Sequence, residues 1–183
     1  MDLKEEKELI KRAQKEPAVF GQLYDEYYKP IFGYILKRVN VLEIAQDITS
    51  ETFLKALKNL WRFRWQNRPL AAWLYRIANH EIANYFRKNK PNLIPLEKIP
   101  EPWLVEDNEA AIKQAYDFLI LQNKIQQLPL KYQEVIVLRF YENKSIKEIT
   151  EILNKKEGTV KSLLHRGLKK LNSLLEEKQP FST

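Results

Sequence analysis

A chain of 183 residues with 44% apolar side chains can bury one core or two small ones, and its net charge of +7 points to a polyanionic partner. It contains no cysteine, which excludes disulfides, thiol redox chemistry and cysteine zinc sites. The charged start MDLKEEKELIKRAQKE is not a signal peptide, and no apolar run approaches the ~20 residues of a membrane span, so a soluble, cytoplasmic protein without membrane insertion is expected.

Only four glycines occur and no strand-like alternation is sustained, so the chain reads as all-α. Asp2 with Glu5 fits a capping box for a first short helix. Phe20, Leu23, Tyr24, Tyr27, Ile31 and Ile35 recur at spacings of three and four, with Pro30 expected to kink or break that helix. Ile44, Ile48, Phe53, Leu57 and Leu60 predict the apolar face of the next helix, and Leu70, Leu74, Ile77 and Tyr85 that of a fourth.

Pro91, Pro95, Pro100 and Pro102 then forbid a continuous helix and predict an extended spacer. Periodicity resumes with Ile112, Ala115, Leu119 and Ile125. The predicted layout is two small helical domains, 1–90 and 108–183, joined by a Pro-rich acidic linker, 91–107. Charge divides similarly: 17 basic and 11 acidic residues to Lys90, 2 and 6 from Pro91 to Ile120, 12 and 7 thereafter. Two basic blocks around an acidic one fit two polyanion-facing modules, or simply solvated surface.

Near the C-terminus, Ser145 and Glu148 in SIKE form a capping box opening a helix with Ile146, Ile149 and Leu153 inward. After Asn154, Lys155 and Lys156 comes EGTVKSLLHRGLKKL. On a helical wheel Val160, Leu164, Leu171 and Leu175 share one side, with Leu163 and Leu174 at its margin. Gly158, Lys161, Ser162, His165, Arg166 and Lys169 hold the other. A capped helix, a tight turn and a basic-faced second helix is the helix-turn-helix pattern, whose second helix reads the major groove. A plain helical hairpin with solvated lysines has the same pattern.

A second basic segment lies upstream. Between Trp61 and Lys90 there are seven aromatic and seven basic residues, and Glu81 is the one acid. Flat rings with positive charge suit unpaired bases and their backbone better than a groove. Trp61, Phe63 and Trp65 are the candidate stacking rings, and Arg64 and Arg68 the backbone contacts. Arg76, Asn79, His80, Ala83 and Arg87 share the helix face opposite Leu74 and Ile77. The competing reading makes the rings core, which suits Trp73 better than the arginine-rich loop RFRWQNRP.

At these residues the chain resembles a bacterial sigma factor of the extracytoplasmic-function (ECF) class of the sigma-70 family. The resemblance spans about residues 15 to 176 and rests on four blocks in order: FGQLYDEYYKPIFGYILKRV, AQDITSETFLKAL, WLYRIANHEIANYFRK and LPLKYQEVIVLRFYENKSIKEITEILNKKEGTVKSLLHR. It implies a non-enzymatic, cofactor-free transcription initiation factor. A first domain, region 2, would bind the β′ clamp helices of core RNA polymerase and hold the melted −10 strand. A second, region 4, would read the −35 duplex and touch the β flap. An anti-sigma factor is a further implied partner, and the free protein is expected to be monomeric.

By resemblance, Asp47, Ser50, Glu51 and Phe53 fall in the clamp-binding block, Ser50 standing where glutamine is usual. Arg76, Asn84 and Arg87 match the −10-facing helix, with His80 in place of asparagine. Gln66 to Pro69 replaces the small residues of the loop that would pocket a flipped base. Glu157, Gly158, Thr159, Val160, Lys161, Ser162, His165 and Arg166 match the −35 reader. Leu163 replaces a usual arginine, Lys155 an apolar turn residue and Lys156 a Ser or Thr cap, the last a loss of ~0.5–2 kcal/mol.

Two other classes fit less of the chain. A helix-turn-helix regulator acting on duplex DNA without polymerase leaves the Trp-rich block and DITSETF idle. A metalloenzyme reading of HEIAN fails because Asn84 stands where HExxH needs its second histidine.

Overall fold

The computed structural model describes residues 1–65, 69–89 and 109–176, with only the backbone described for 109–116. Every regular element among them is helical. In chain order they are α1 (Leu3–Lys15), α2 (Phe20–Val39), α3 (Leu42–Asn59), α4 (Leu70–Lys88), α5 (Glu109–Gln126), α6 (Leu130–Ile136), α7 (Ile146–Leu153) and α8 (Glu157–Glu176). The proline-rich spacer and the loop residues Gln66, Asn67 and Arg68 lie outside the described residues. No helix among the described residues is long and apolar enough to cross a membrane.

The α1 N-terminus is a complete capping box. Asp2 Oδ1 accepts from the amides of Lys4 and Glu5 at 2.7 and 2.9 Å, and Glu5 returns a bond to the Asp2 amide at 2.9 Å. The helix stops where Glu16, forced towards extended backbone by Pro17, leaves the helical region. α2 runs through Pro30 unbroken, contrary to the break that the sequence allows. Pro30 is exposed, and Leu23, Ile31, Tyr34 and Ile35 bury the opposite face on both sides of it, so packing spans the missing hydrogen bond. An Asn40 in left-handed conformation (φ 56°) ends α2.

α2, α3 and α4 pack together through Ile31, Ile35, Ile48, Phe53, Leu70, Leu74 and Ile82, which are all buried. One expectation fails on α3: Leu57 is exposed, and Thr49 and Thr52 are buried instead. Their hydroxyls donate to the carbonyls of Ala45 and Ile48 at 2.6 and 2.7 Å, so both face the core without an unsatisfied group. Glu6 of α1 is buried as well. Its Oε1 accepts the Leu70 amide at 2.8 Å and the Tyr27 hydroxyl. Pro69 offers no side-chain cap, so Glu6 caps α4 from 64 residues upstream.

The C-terminal helices enclose Ile125, Leu128, Val135, Ile136, Leu138, Ile149, Ile152, Val160, Leu164 and Leu171. α6 relaxes into a π turn, Val137–Tyr141, before α7. Gly167 permits the close approach of α8 to α6: a Cβ there would lie 3.2 Å from both Ile136 and Tyr132. Leu175, expected inward, is exposed, and Leu174 of the same last turn packs against the core instead. α2 touches the π turn and α4 touches α7, so the two helical groups adjoin.

Leu74 is fully buried and Leu57 is exposed. Leu74→Ala is expected to cost about 2–5 kcal/mol, and Leu57→Ala under ~0.5 kcal/mol. Urea unfolding followed by far-UV ellipticity distinguishes the two; equal losses would contradict this core.

Candidate nucleic-acid and polymerase interface

The turn into α8 is built by Asn154, whose φ of 51° lets its amide reach the Thr150 carbonyl and ends α7. The capping box at the other end of α7 is present: Ser145 Oγ accepts from the Glu148 amide, and Glu148 accepts from the Ser145 amide at 2.8 Å. The α8 backbone starts on Lys156, whose carbonyl accepts from Thr159 and Val160. Val160, Leu163, Leu164 and Leu171 are buried, so Leu163 belongs to the packing face rather than its margin. Glu157, Gly158, Thr159, Lys161, Ser162, His165, Arg166 and Lys169 are all exposed on a continuous outer face.

Four of these side chains form two internal pairs. Lys161 Nζ lies 2.6 Å from Glu157, whose carboxyl it holds below the usual range, and Arg166 donates to Ser162 Oγ at 2.9 Å. Exposed contacts one turn apart contribute little, so a phosphate or base edge can displace them cheaply.

The second face centres on α4. Arg76, His80, Ala83 and Arg87 are exposed; Asn84 is half-buried and accepts from Arg87 at 3.1 Å. Asn79 departs from the expected outward placement. Its Oδ1 accepts from Tyr34 and Arg38 at 2.6 and 2.9 Å, which turns it into the helix packing. Between α3 and α4 lies a cleft of about 620 Å³ lined by Lys55, Arg62, Phe63, Trp73, Arg76 and His80, among others. Phe63 and Trp73 rings pack at 5.0 Å along its wall. Gln14 anchors this wall: its Nε2 donates to the carbonyls of Leu60 and Phe63 at 2.9 and 2.8 Å.

Of the three candidate stacking rings, Phe63 and Trp65 are half-buried against the core, while Trp61 is 65% exposed. The Arg62 guanidinium sits 4.4 Å from the Trp61 ring centre. Arg64 is exposed, and Arg68 lies outside the described residues.

Glu81, the single acid of this segment, is buried at the cleft floor. It accepts from Lys55 Nζ at 2.7 Å, and Lys55 also pairs with Glu51 at 3.2 Å. These hydrogen bonds, Glu81 first, raise the Lys55 pKa. A raised lysine pKa means that the pair's contribution is complete at neutral pH and is lost only as pH climbs through the lysine range.

A third face runs along α3. Asp47, Ser50 and Glu51 are exposed, whereas Phe53 is buried against Phe20 and Tyr24 and does not share their exposed face. Leu54 and Leu57 are exposed, and with Trp61 they continue the same stripe at three- and four-residue spacing. The sequence pattern hid this apolar extension because leucines on an amphipathic helix read as core.

These three faces belong to a recognisable combination. Residues 23–91 match the sequence profile of Sigma-70 region 2, and residues 118–171 that of Sigma-70, region 4. The ECF RNA polymerase sigma factor SigW of Bacillus subtilis (strain 168) is 31% identical over 185 residues, covering 93% of this chain and 97% of that one. The chain belongs to the ECF sigma factors of the sigma-70 family. The ECF RNA polymerase sigma factor BldN of Streptomyces coelicolor is 33% identical over 173 residues, 93% of this chain and 66% of BldN. Among solved structures, CnrH in complex with the cytosolic domain of CnrY shares the fold, with a TM-score of 0.71 at 21% identity over 97% of this chain and 100% of that one. The region 2 match accounts for the aromatic block and α3, which a duplex-only regulator leaves without a role.

Lys55→Ala strands the buried Glu81 carboxylate and is expected to cost about 1–3 kcal/mol, whereas Glu51→Ala removes an exposed pair worth under ~0.5 kcal/mol. Urea midpoints at pH 7 provide the comparison. A harmless Lys55→Ala would show that Glu81 is satisfied without it.

Proposed function

We propose that this sigma factor binds core RNA polymerase, carries it to specific promoters and helps open the −10 element, with each of the three faces assigned one step. Residues 1–90 form the region 2 domain, 91–107 the linker and 108–183 the region 4 domain. The α3 stripe, with Asp47, Ser50 and Glu51, docks on the β′ clamp helices. The cleft beside α4, with Trp61, Arg64, Arg76, His80, Asn84 and Arg87, holds the melted strand. The outer face of α8, with Lys161, Ser162, His165, Arg166 and Lys169, reads the −35 duplex, and the same domain meets the β flap.

The observation that carries this reading is the difference between the two basic faces. One is a cleft walled by Phe63 and Trp73 and lined by cations, with the exposed Trp61 indole next to Arg62 of that lining, a combination suited to unpaired bases and their backbone. The other is a convex helix face of exposed hydrogen-bonding side chains, suited to a major groove. A promoter must be located as duplex and then opened, so one chain needs both. Such a factor acts in the cytoplasm as a monomer, without cofactor or catalysis. An anti-sigma partner also fits, since the structurally similar RpoE of Bartonella quintana was solved in complex with the anti-sigma factor NepR (TM-score 0.63, 18% identity, 87% of this chain and 98% of that one).

Reconstitution with core polymerase and sequencing of the resulting transcript starts tests the reading directly; no specific starts above core alone would sink it. Asp47→Lys with Glu51→Lys reverses the charge of the α3 stripe and is expected to weaken association with core, read by fluorescence anisotropy, in a protein that remains folded. Lys161→Ala and Arg166→Ala are expected to cost roughly 1–3 kcal/mol each in duplex binding while leaving transcription from a premelted template intact. Trp61→Ala is expected to reduce permanganate reactivity of promoter thymines, since stacking is worth ~1–3 kcal/mol per base, yet to spare duplex binding.

A further inference from the structure

We infer that the outer face of α1 is a second contact for unpaired DNA, a track of four lysines that holds the phosphates of the strand where it leaves the cleft. The inference rests on the strand-holding role proposed above for that cleft. Lys4, Lys7, Lys11 and Lys15 recur at spacings of three and four along α1, and all four are exposed. At ~100° per residue they fall within about 80° of one another on the helix. Glu6, Ile10 and Ala13 are buried on the other side. The lysines thus form one continuous cationic face.

The acids of α1 do not neutralise it. Glu6 is buried where it caps α4, and Glu5 is turned back on the Asp2 amide at 2.9 Å. Glu8 lies beside the stripe and pairs with Lys11 at 2.8 Å. Lys7, Lys11 and Lys15 follow one another at i,i+4 steps, where like charges repel and destabilise a helix. A face required only for solvation gains more from alternating signs. An external polyanion relieves the repulsion and gives the stripe a purpose.

Its position names the polyanion. Gln14 lies next to Lys7 around the helix, and its Nε2 donates to the carbonyls of Leu60 and Phe63 at 2.9 and 2.8 Å. The lysine face therefore begins where the aromatic loop 60–63 packs on α1. That loop carries Trp61, which is 65% exposed, and Arg62, whose guanidinium lies 4.4 Å from the Trp61 ring centre and which also lines the cleft. A base stacked on Trp61 sits at the shared edge of cleft and stripe, with Arg62 as the first cation beside its backbone. From Lys4 to Lys15 the stripe covers about 16 Å of helix, the length of roughly five stacked nucleotides at 3.4 Å each. It offers ammonium groups and no ring, so it holds backbone and is indifferent to sequence.

Salt dependence of oligothymidine binding by the full chain tests the track. A labelled hexamer covers the cleft and Trp61, and an octadecamer also reaches α1. Each neutralised phosphate of a single strand steepens log K against log salt by about 0.7, so four added contacts should make the wild-type slope about 2.8 steeper for the octadecamer. Lys4→Gln, Lys7→Gln, Lys11→Gln and Lys15→Gln together should abolish that difference. They should weaken octadecamer binding at least tenfold at low salt and change hexamer binding less than twofold. Lys4→Arg with the matching changes at Lys7, Lys11 and Lys15 should restore the difference. The same charge change elsewhere, Lys29→Gln, Lys131→Gln, Lys147→Gln and Lys170→Gln, all exposed, should leave it intact. Far-UV ellipticity checks that every variant is folded. Equal wild-type slopes at both lengths, an undiminished difference in the folded α1 variant, or an equal loss in the distant variant would overturn the track while leaving the cleft reading in place. Hexamer binding that Trp61→Ala leaves unchanged would overturn the cleft reading and the path drawn from it.

Discussion

Arg38 is the side chain on which the arrangement depends. It is 2% exposed, and its Nη1 donates to the Tyr34 hydroxyl at 2.7 Å and to Asn79 Oδ1 at 2.9 Å. A buried guanidinium without such partners would carry a desolvation penalty of several kcal/mol, so the spacing of its acceptors is tightly constrained. Tyr34 and Arg38 lie one turn apart on α2, and Asn79 is on α4. The three therefore fix how these helices sit against each other. Burial raises the Tyr34 pKa to about 12, although Arg38 opposes the shift, so the phenol remains a donor to Asn79. The same guanidinium reaches Gln133, whose Nε2 donates to the carbonyls of Gln126 and Leu128 at 3.1 and 2.8 Å. One buried cation thus ties the frame of the α4 face to the start of the C-terminal bundle.

The other end of α4 is set by Glu6. A helix that begins after proline has no side-chain cap of its own, and its first amides seek an acceptor. Glu6 supplies one, and its charge also complements the positive end of the helix dipole. Gln14 on the same α1 holds the carbonyls of Leu60 and Phe63, where the aromatic loop departs. α1 therefore aligns both margins of the cleft.

Local chemistry was legible in the sequence where it acted over one turn. The capping boxes at Asp2 and Ser145, the three-residue turn after α7 and the bare outer face of α8 all follow from spacing alone. What escaped was set by distant partners. Glu81 looks misplaced on an apolar face until Lys55, 26 positions earlier, is seen to pair with it. Asn79 looks like a surface residue until Tyr34 and Arg38 claim it. Leu57 fits the helical period of a core residue, but two threonines satisfied by their own backbone take the buried positions. Phe53 shows the converse. Resemblance placed it in a docking block with exposed Asp47 and Glu51, whereas its ring packs inward against Phe20 and Tyr24.

The chain uses two kinds of cohesion. Within each helical group the contacts are mainly apolar and close-packed, as with Leu74 and Ile82 in one and Val160 and Leu164 in the other. Hydrophobic burial of this kind is non-directional and is lost only on unfolding. Between the groups, the ion pair of Lys37 and the hydrogen bonds of Tyr75, Arg76 and Arg38 dominate the polar contacts. Such groups can exchange a protein partner for water or phosphate at small net cost, because both states are hydrogen-bonded. A factor that must recognise two separated elements needs rigid modules with a reversible junction. Apolar packing holds each module, and ion pairs and hydrogen bonds are added where the two meet. Arg76 lies at that boundary: on the exposed face of α4, its guanidinium donates to the Glu151 carbonyl of α7 at 2.9 Å.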